Sequence, residues 1–157
     1  PRAGETVSVG DDFVQYLTGL GIGTPGISLW LGTAPDRAAA ITVVETGGPA
    51  PYHDYGPGEV IDHPTVQVLV RNPAYLLARD KADQIRDAFD GLANWPINGT
   101  RYLSVTAMSD PAYLGKAATS QGETHEFSLN FATIRERAAP IIGLCGAYYD
   151  LSRWHEP

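Results

Sequence analysis

The chain carries a single cysteine, Cys145, and a single methionine, Met108, among its 157 residues. One cysteine makes neither an internal disulfide nor a thiolate zinc cage, so neither can staple the fold. Cations are also scarce: 11 Lys and Arg stand against 18 Asp and Glu, a formal charge of −7. A surface that grips phosphate needs clustered cations, so wrapping or reading a duplex is disfavoured. No stretch approaches the roughly 20 apolar residues that span a bilayer. The opening PRAGETVSVGDD lacks the basic-then-apolar order of a signal peptide, and synthesis in the cytoplasm is expected. Glycine clusters occur, but Gly19–Gly23 follows a helical pattern, and no Lys-Ser/Thr pair completes a phosphate loop.

What is present is ordinary globular material, 43% hydrophobic and 18% charged, enough apolar side chain to offset chain entropy. Val9, Phe13, Tyr16, Leu17 and Leu20 fall at helical spacing. Asp11 and Asp12 stand where anions favour a helix start, and glycines follow, predicting a short helix within Val7–Leu20. Ile27–Leu31 and Ala40–Thr46 read as two strands paired through Ala34–Arg37. From Gly47 to Pro64, four Gly and four Pro predict a long loop of binding length. Thr65–Arg71 alternates Val66, Val68 and Val70 with Gln67 and Arg71, predicting a half-buried strand.

Pro73 then opens the main helix, Ala74–Leu92, whose Ala78, Ala82, Ile85, Phe89 and Leu92 form an apolar stripe. Trp95–Ile97 and Thr100–Val105 flank Asn98–Gly99, the dipeptide that a two-residue hairpin turn favours, and Pro96 confines the first arm to an edge. Ser109–Thr124 reads as a polar loop, and His125–Ile134 as the last strand. The expected fold is α+β: a mostly antiparallel sheet of about four to five strands, with one long helix packed on it and a short N-terminal helix. Residues 1–137 form that domain, and 138–157, apolar through IIGLCGAYY, a C-terminal arm or tail.

Chemistry is sparse. His53–Asp54 and Asp62–His63 supply two imidazoles and two carboxylates that could ligate a metal. A small metal-dependent hydrolase using His53, Asp54 and a loop carboxylate is the alternative from another class. No spacing matches a ligand pattern, however, and solvent-facing turn residues account for all four. Cys145 sits in LCGA with no electropositive neighbour to activate it, as a packed thiol would. Trp30, Trp95 and Trp154 do not interleave with cations as a single-strand-binding platform requires. No catalytic residue, cofactor site or metal site is expected.

The ordered words LWLGTAPD, VVETGG, PTVQVLVRNPAYLLARDKADQI, NGTRYLSV and EFSLNFATIRE, between Leu29 and Glu136, resemble the phage minor capsid or tail-terminator family of head–tail joining proteins. The chain departs from that pattern between Met108 and Thr124 and after Ala138. The resemblance implies a structural virion protein at the neck, made in the host cytoplasm, and no enzyme. It implies a homo-oligomeric ring, typically a hexamer, that caps the tail tube and meets the connector or stopper protein, with DNA passing through the lumen unbound. A head-completion or stopper protein of the connector is the runner-up. Exposed loops and the apolar tail would supply the contacts, through Tyr52, His53, Tyr55, Tyr113, Leu114, Tyr148, Tyr149 and Trp154.

Overall fold

The structure, a computed structural model, describes residues 8–53 and 60–137. Helix α1 spans Val9–Gly19. Ser8 caps it, its Oγ accepting from the Asp11 N–H at 3.1 Å, and Asp11 and Asp12 occupy the positive first turn. At the other end Ile22 N–H donates to Leu17 O at 3.0 Å and Gly21 N–H to Thr18 O, so carbonyls the helix leaves open are satisfied. Strands β1 (Leu29–Leu31) and β2 (Ala40–Gly47) pair as expected, but in parallel, Leu29 opposite Ile41. The connection can return because it is tied down: Arg71 donates to Pro35 O, and Gln121 Oε1 accepts from Ala38 N–H.

Two short strands stand in the region read as a Gly/Pro loop: β3 (Tyr52–His53) and β4 (Val60–Asp62). Strand β5 (Thr65–Asn72) buries Val66, Val68 and Val70 on alternate positions. Helix α2 runs Tyr75–Phe89 and buries Ala78, Ala82, Ile85 and Phe89. It is shorter than expected, because Gly91 (φ 82°) turns the chain and Leu92 already belongs to strand β6 (Leu92–Ile97). Strands β6 and β7 (Thr100–Ala107) form the expected hairpin, Ile97 opposite Thr100. Asn98 (φ 50°) and Gly99 (φ 81°) make its turn, which needs two positive φ angles. The segment read as a polar loop holds β8 (Ala112–Thr119), a hairpin with the 16-residue β9 (Gly122–Arg137).

The sheet therefore has nine strands and is mixed, which corrects the expectation of a mostly antiparallel sheet of about four to five strands with one long helix packed on it and a short N-terminal helix. Helices of 11 and 15 residues are the only ones among the described residues. Strand β9 organises the sheet. Along one edge it pairs with β5 and then β4; along the other it pairs with β8 and then β7. Phe127, Leu129 and Phe131 of β9 join the β5 valines beneath both helices. Phe13 stacks on Phe89 at 4.0 Å between ring centres, and both contact Phe131. Burying these three rings, each worth several kilocalories in large-to-small substitutions, fixes the helices on one face.

Candidate interaction surfaces

The two ends of β9 are finished in opposite ways. Beside its C-terminal half lies a buried ionic cluster. Asp12, fully buried in α1, accepts the Tyr102 hydroxyl proton at 2.5 Å and lies 3.4 Å from Asn98 Nδ2. Arg135 of β9 reaches Asp12 and Asp62, each at 3.5 Å. Burial raises the Asp12 carboxyl to about 6 against the pull of Tyr102, Arg135 and Asn98. Burial, and then the Asp12 charge, pushes the Tyr102 phenol upward. Each polar group here has a partner inside the molecule, so the cluster ties α1, β4, β7 and β9 together and presents no reactive group to a ligand.

Beside the N-terminal half, apolar side chains face outward. Tyr75, opening α2, meets Tyr113, His125 and Phe127 with ring centres 5.2–5.6 Å apart. The Tyr113 hydroxyl lies 2.8 Å from His125 Nδ1. Next to this group Leu76 and Leu77 are 71% and 58% exposed, and Leu114 is 54% exposed. Leu114 is the unpaired residue of a bulge: Tyr113 faces Phe127 and Gly115 faces Glu126. A second apolar surface lies at the other end of β9. It is a cleft of about 400 Å³ lined by Tyr16, Leu20, Pro96 and Ile97, with Trp95 exposed beside it.

Of the residues singled out from the sequence, Tyr113 and Leu114 lie together on the first of these surfaces, and Tyr52 is exposed on β3. The backbone of His53 pairs with Val60. Tyr55, Tyr148, Tyr149 and Trp154 lie outside the described residues, as do Asp54 and Cys145. Asp62 is committed to Arg135, and no group of three potential metal ligands occurs among the described residues. Sequence reasoning missed Tyr75, Leu76, Leu77, Trp95 and Met108. The signal was available for two of them: Leu76 and Leu77 fall off the stripe of Ala78, Ala82 and Ile85, and apolar residues off the buried stripe of a helix are exposed.

No helix of the described residues is long and apolar enough to cross a membrane. No curated protein matches the chain. A chain of a solved structure titled "Virion of native gene transfer agent (GTA) particle" aligns with a TM-score of 0.44 at 15% identity, covering 71% of this chain and 81% of that one. The family described as bacteriophage tail terminator protein matches residues 16–137, from the middle of α1 to the last residue of β9. That span covers most of the chain and takes in every strand just described. The protein belongs to the bacteriophage tail terminator family: it is a structural component of the virion at the tail and neck, not an enzyme.

Proposed function

We propose that the protein assembles into a closed homo-oligomeric ring that caps the end of the tail tube and joins it to the connector of the head. The family match over residues 16–137 carries this reading. The surfaces support it in kind. A head-to-tail ring needs two different contact surfaces on each subunit, so that one subunit's first meets its neighbour's second. Exposed apolar groups gather at both ends of β9: Leu76, Leu77 and Leu114 at one, Trp95 and Leu20 at the other. Each lies outside the core that the subunit needs for itself. The formal charge of −7 suits a wall past which DNA slides without sticking.

Particles assembled without this protein test the reading. A terminator predicts free heads together with overlong or unstable tails. Tails of normal length joined to heads that leak DNA would reject it and assign the protein to the stopper layer instead.

A further inference from the structure

We infer that a cleft between helix α2 and the loop that follows α1 holds a carboxylate, an acidic side chain of a neighbouring copy of this chain, with Lys81 as its cation. The inference rests on the ring reading above and names one of its contacts.

The cleft has a volume of about 170 Å³. Ile41 of β2 and Val70 of β5, opposite each other in the ladder, line it together with Ile22 and supply apolar surface. Ser28, Asn72 and Lys81 supply its polar groups, and each is left with hydrogens to donate. Ser28 Oγ accepts from Thr24 N–H at 2.9 Å, which leaves its own hydroxyl hydrogen unspent. Asn72 Oδ1 accepts from Ala74 N–H at 2.9 Å, which leaves the two amide hydrogens. Arg71 also lines the cleft, but its guanidinium is taken up by Glu126 and by Pro35 O. Among the described side chains only two cations, Arg37 and Lys81, have no ion pair, and Arg37 lies over the Trp30 ring. No acidic side chain lines the cleft. Unspent donors around one unpaired cation are the setting in which an anion is held by charge-assisted hydrogen bonds.

Size and lining select the anion. Small-molecule sites usually run to roughly 300–1,000 Å³, so this cleft suits a single side chain. A phosphodiester has no apolar body to set against Ile22, Ile41 and Val70, whereas an acidic side chain brings methylene as well as charge. Charge and position select its source. Copies of a chain with a formal charge of −7 repel one another, so they meet best where an acid of one finds an unpaired cation of the other. The cleft also adjoins the apolar patch, since Lys81 stands one helical turn past exposed Leu77. One neighbour can therefore cover the leucines and place an acid in the cleft.

The chain has only two lysines, Lys81 and Lys116, which makes the contact measurable in the full-length protein. Nitrogen-15-labelled and unlabelled chains are assembled together, as purified oligomer and in particles. A carbodiimide then joins amines to carboxylates in direct contact, and peptide mass spectrometry reads the links. Lys116 lies 3.6 Å from Glu123 on its own hairpin, so its link should stay within single chains and serves as the control. The expected result is a Lys81 link to an aspartate or glutamate that joins labelled to unlabelled peptides. Lys81→Arg keeps the charge but cannot form the amide, so it should lose that link and still assemble. Lys81→Glu sets carboxylate against carboxylate and should weaken association about tenfold or more, with the thermal transition of the monomer in place. Oligomers that give the Lys116 link but no Lys81 link between chains, or that tolerate Lys81→Glu, overturn the inference and leave the ring intact. A Lys81 link confined to single chains also overturns it. Protein that neither oligomerises nor joins tails sinks the ring reading itself, and this inference with it.

Discussion

At the C-terminal half of β9 the molecule is closed in on itself, whereas at the N-terminal half it is left open. The closed end spends charged groups inside: Asp12, Tyr102, Arg135 and Asp62 satisfy one another across four elements. The open end spends apolar groups outside: Leu76, Leu77 and Leu114 contribute little to the subunit's own stability. The ionic cluster thus holds the fold, whereas the leucine patch is left outside it. That division makes a prediction for each end, because a change at the closed end should alter folding and a change at the open end should alter assembly.

The largest effect belongs to Arg135→Ala. It removes the cation between Asp12 and Asp62 and leaves two carboxylates in a buried site, which costs about 3–5 kcal/mol when a buried pair is broken. Urea unfolding at neutral pH measures it. A loss below about 1 kcal/mol would mean the cluster is not the tie described here.

Asp12→Asn follows, and its signature is in the pH dependence. The folded carboxyl lies at about 6, above its ordinary 3.8. A raised acid binds more protons folded than unfolded, so its contribution to stability is full below about pH 4 and is lost as pH rises through 6. The shift corresponds to about 3 kcal/mol between those limits, since one unit is about 1.4 kcal/mol. The asparagine cannot titrate, so the difference in unfolding free energy between the two proteins should change across pH 4–6 and be flat outside it. A difference that stays constant across that window would contradict the assignment. Next in size is Gly99→Ala, which forces a side chain into φ 81° in the turn that carries Asn98 toward Asp12. It should cost about 1–2 kcal/mol in the same unfolding measurement.

The core shared by the two ends was the more legible in the sequence. The valines of β5, the stripe of α2 and the Asn98–Gly99 turn are local signals, readable within a window of a few residues. What the sequence hid was non-local. Ala112–Thr119 has small residues, a glycine and a lysine where a strand usually shows β-branched alternation, and it becomes a strand because β9 offers it a ladder. Strands β3 and β4 flank a Gly/Pro stretch, and β4 is held by the far end of β9. The buried role of Asp12 was equally hidden. Its place in a helical first turn explained it fully, while Tyr102 and Arg135 lie 90 and 123 residues away. The family resemblance, in contrast, was carried by words within the well-formed strands and helix, and the match over residues 16–137 bears it out.

The smallest effect on folding is expected at the open end, and there it is the most informative. Leu76→Glu and Leu114→Glu each put a charge on a side chain already more than half exposed. The cavity and desolvation terms that make core substitutions costly are missing, so unfolding free energies should move by no more than about 0.5 kcal/mol. Assembly should respond differently. A carboxylate carried into an apolar contact must be stripped of water without a partner, so both variants should fall out of the oligomer and fail to join tails. Sedimentation of the purified variants alongside Arg135→Ala separates the two ends of β9 directly. Arg135→Ala should lose stability at any state of assembly, and the leucine variants should lose assembly at full stability. If instead the glutamates are tolerated in assembled particles, the open end faces solvent there, and the contacts of the ring must be sought around Trp95 and the cleft beside α1.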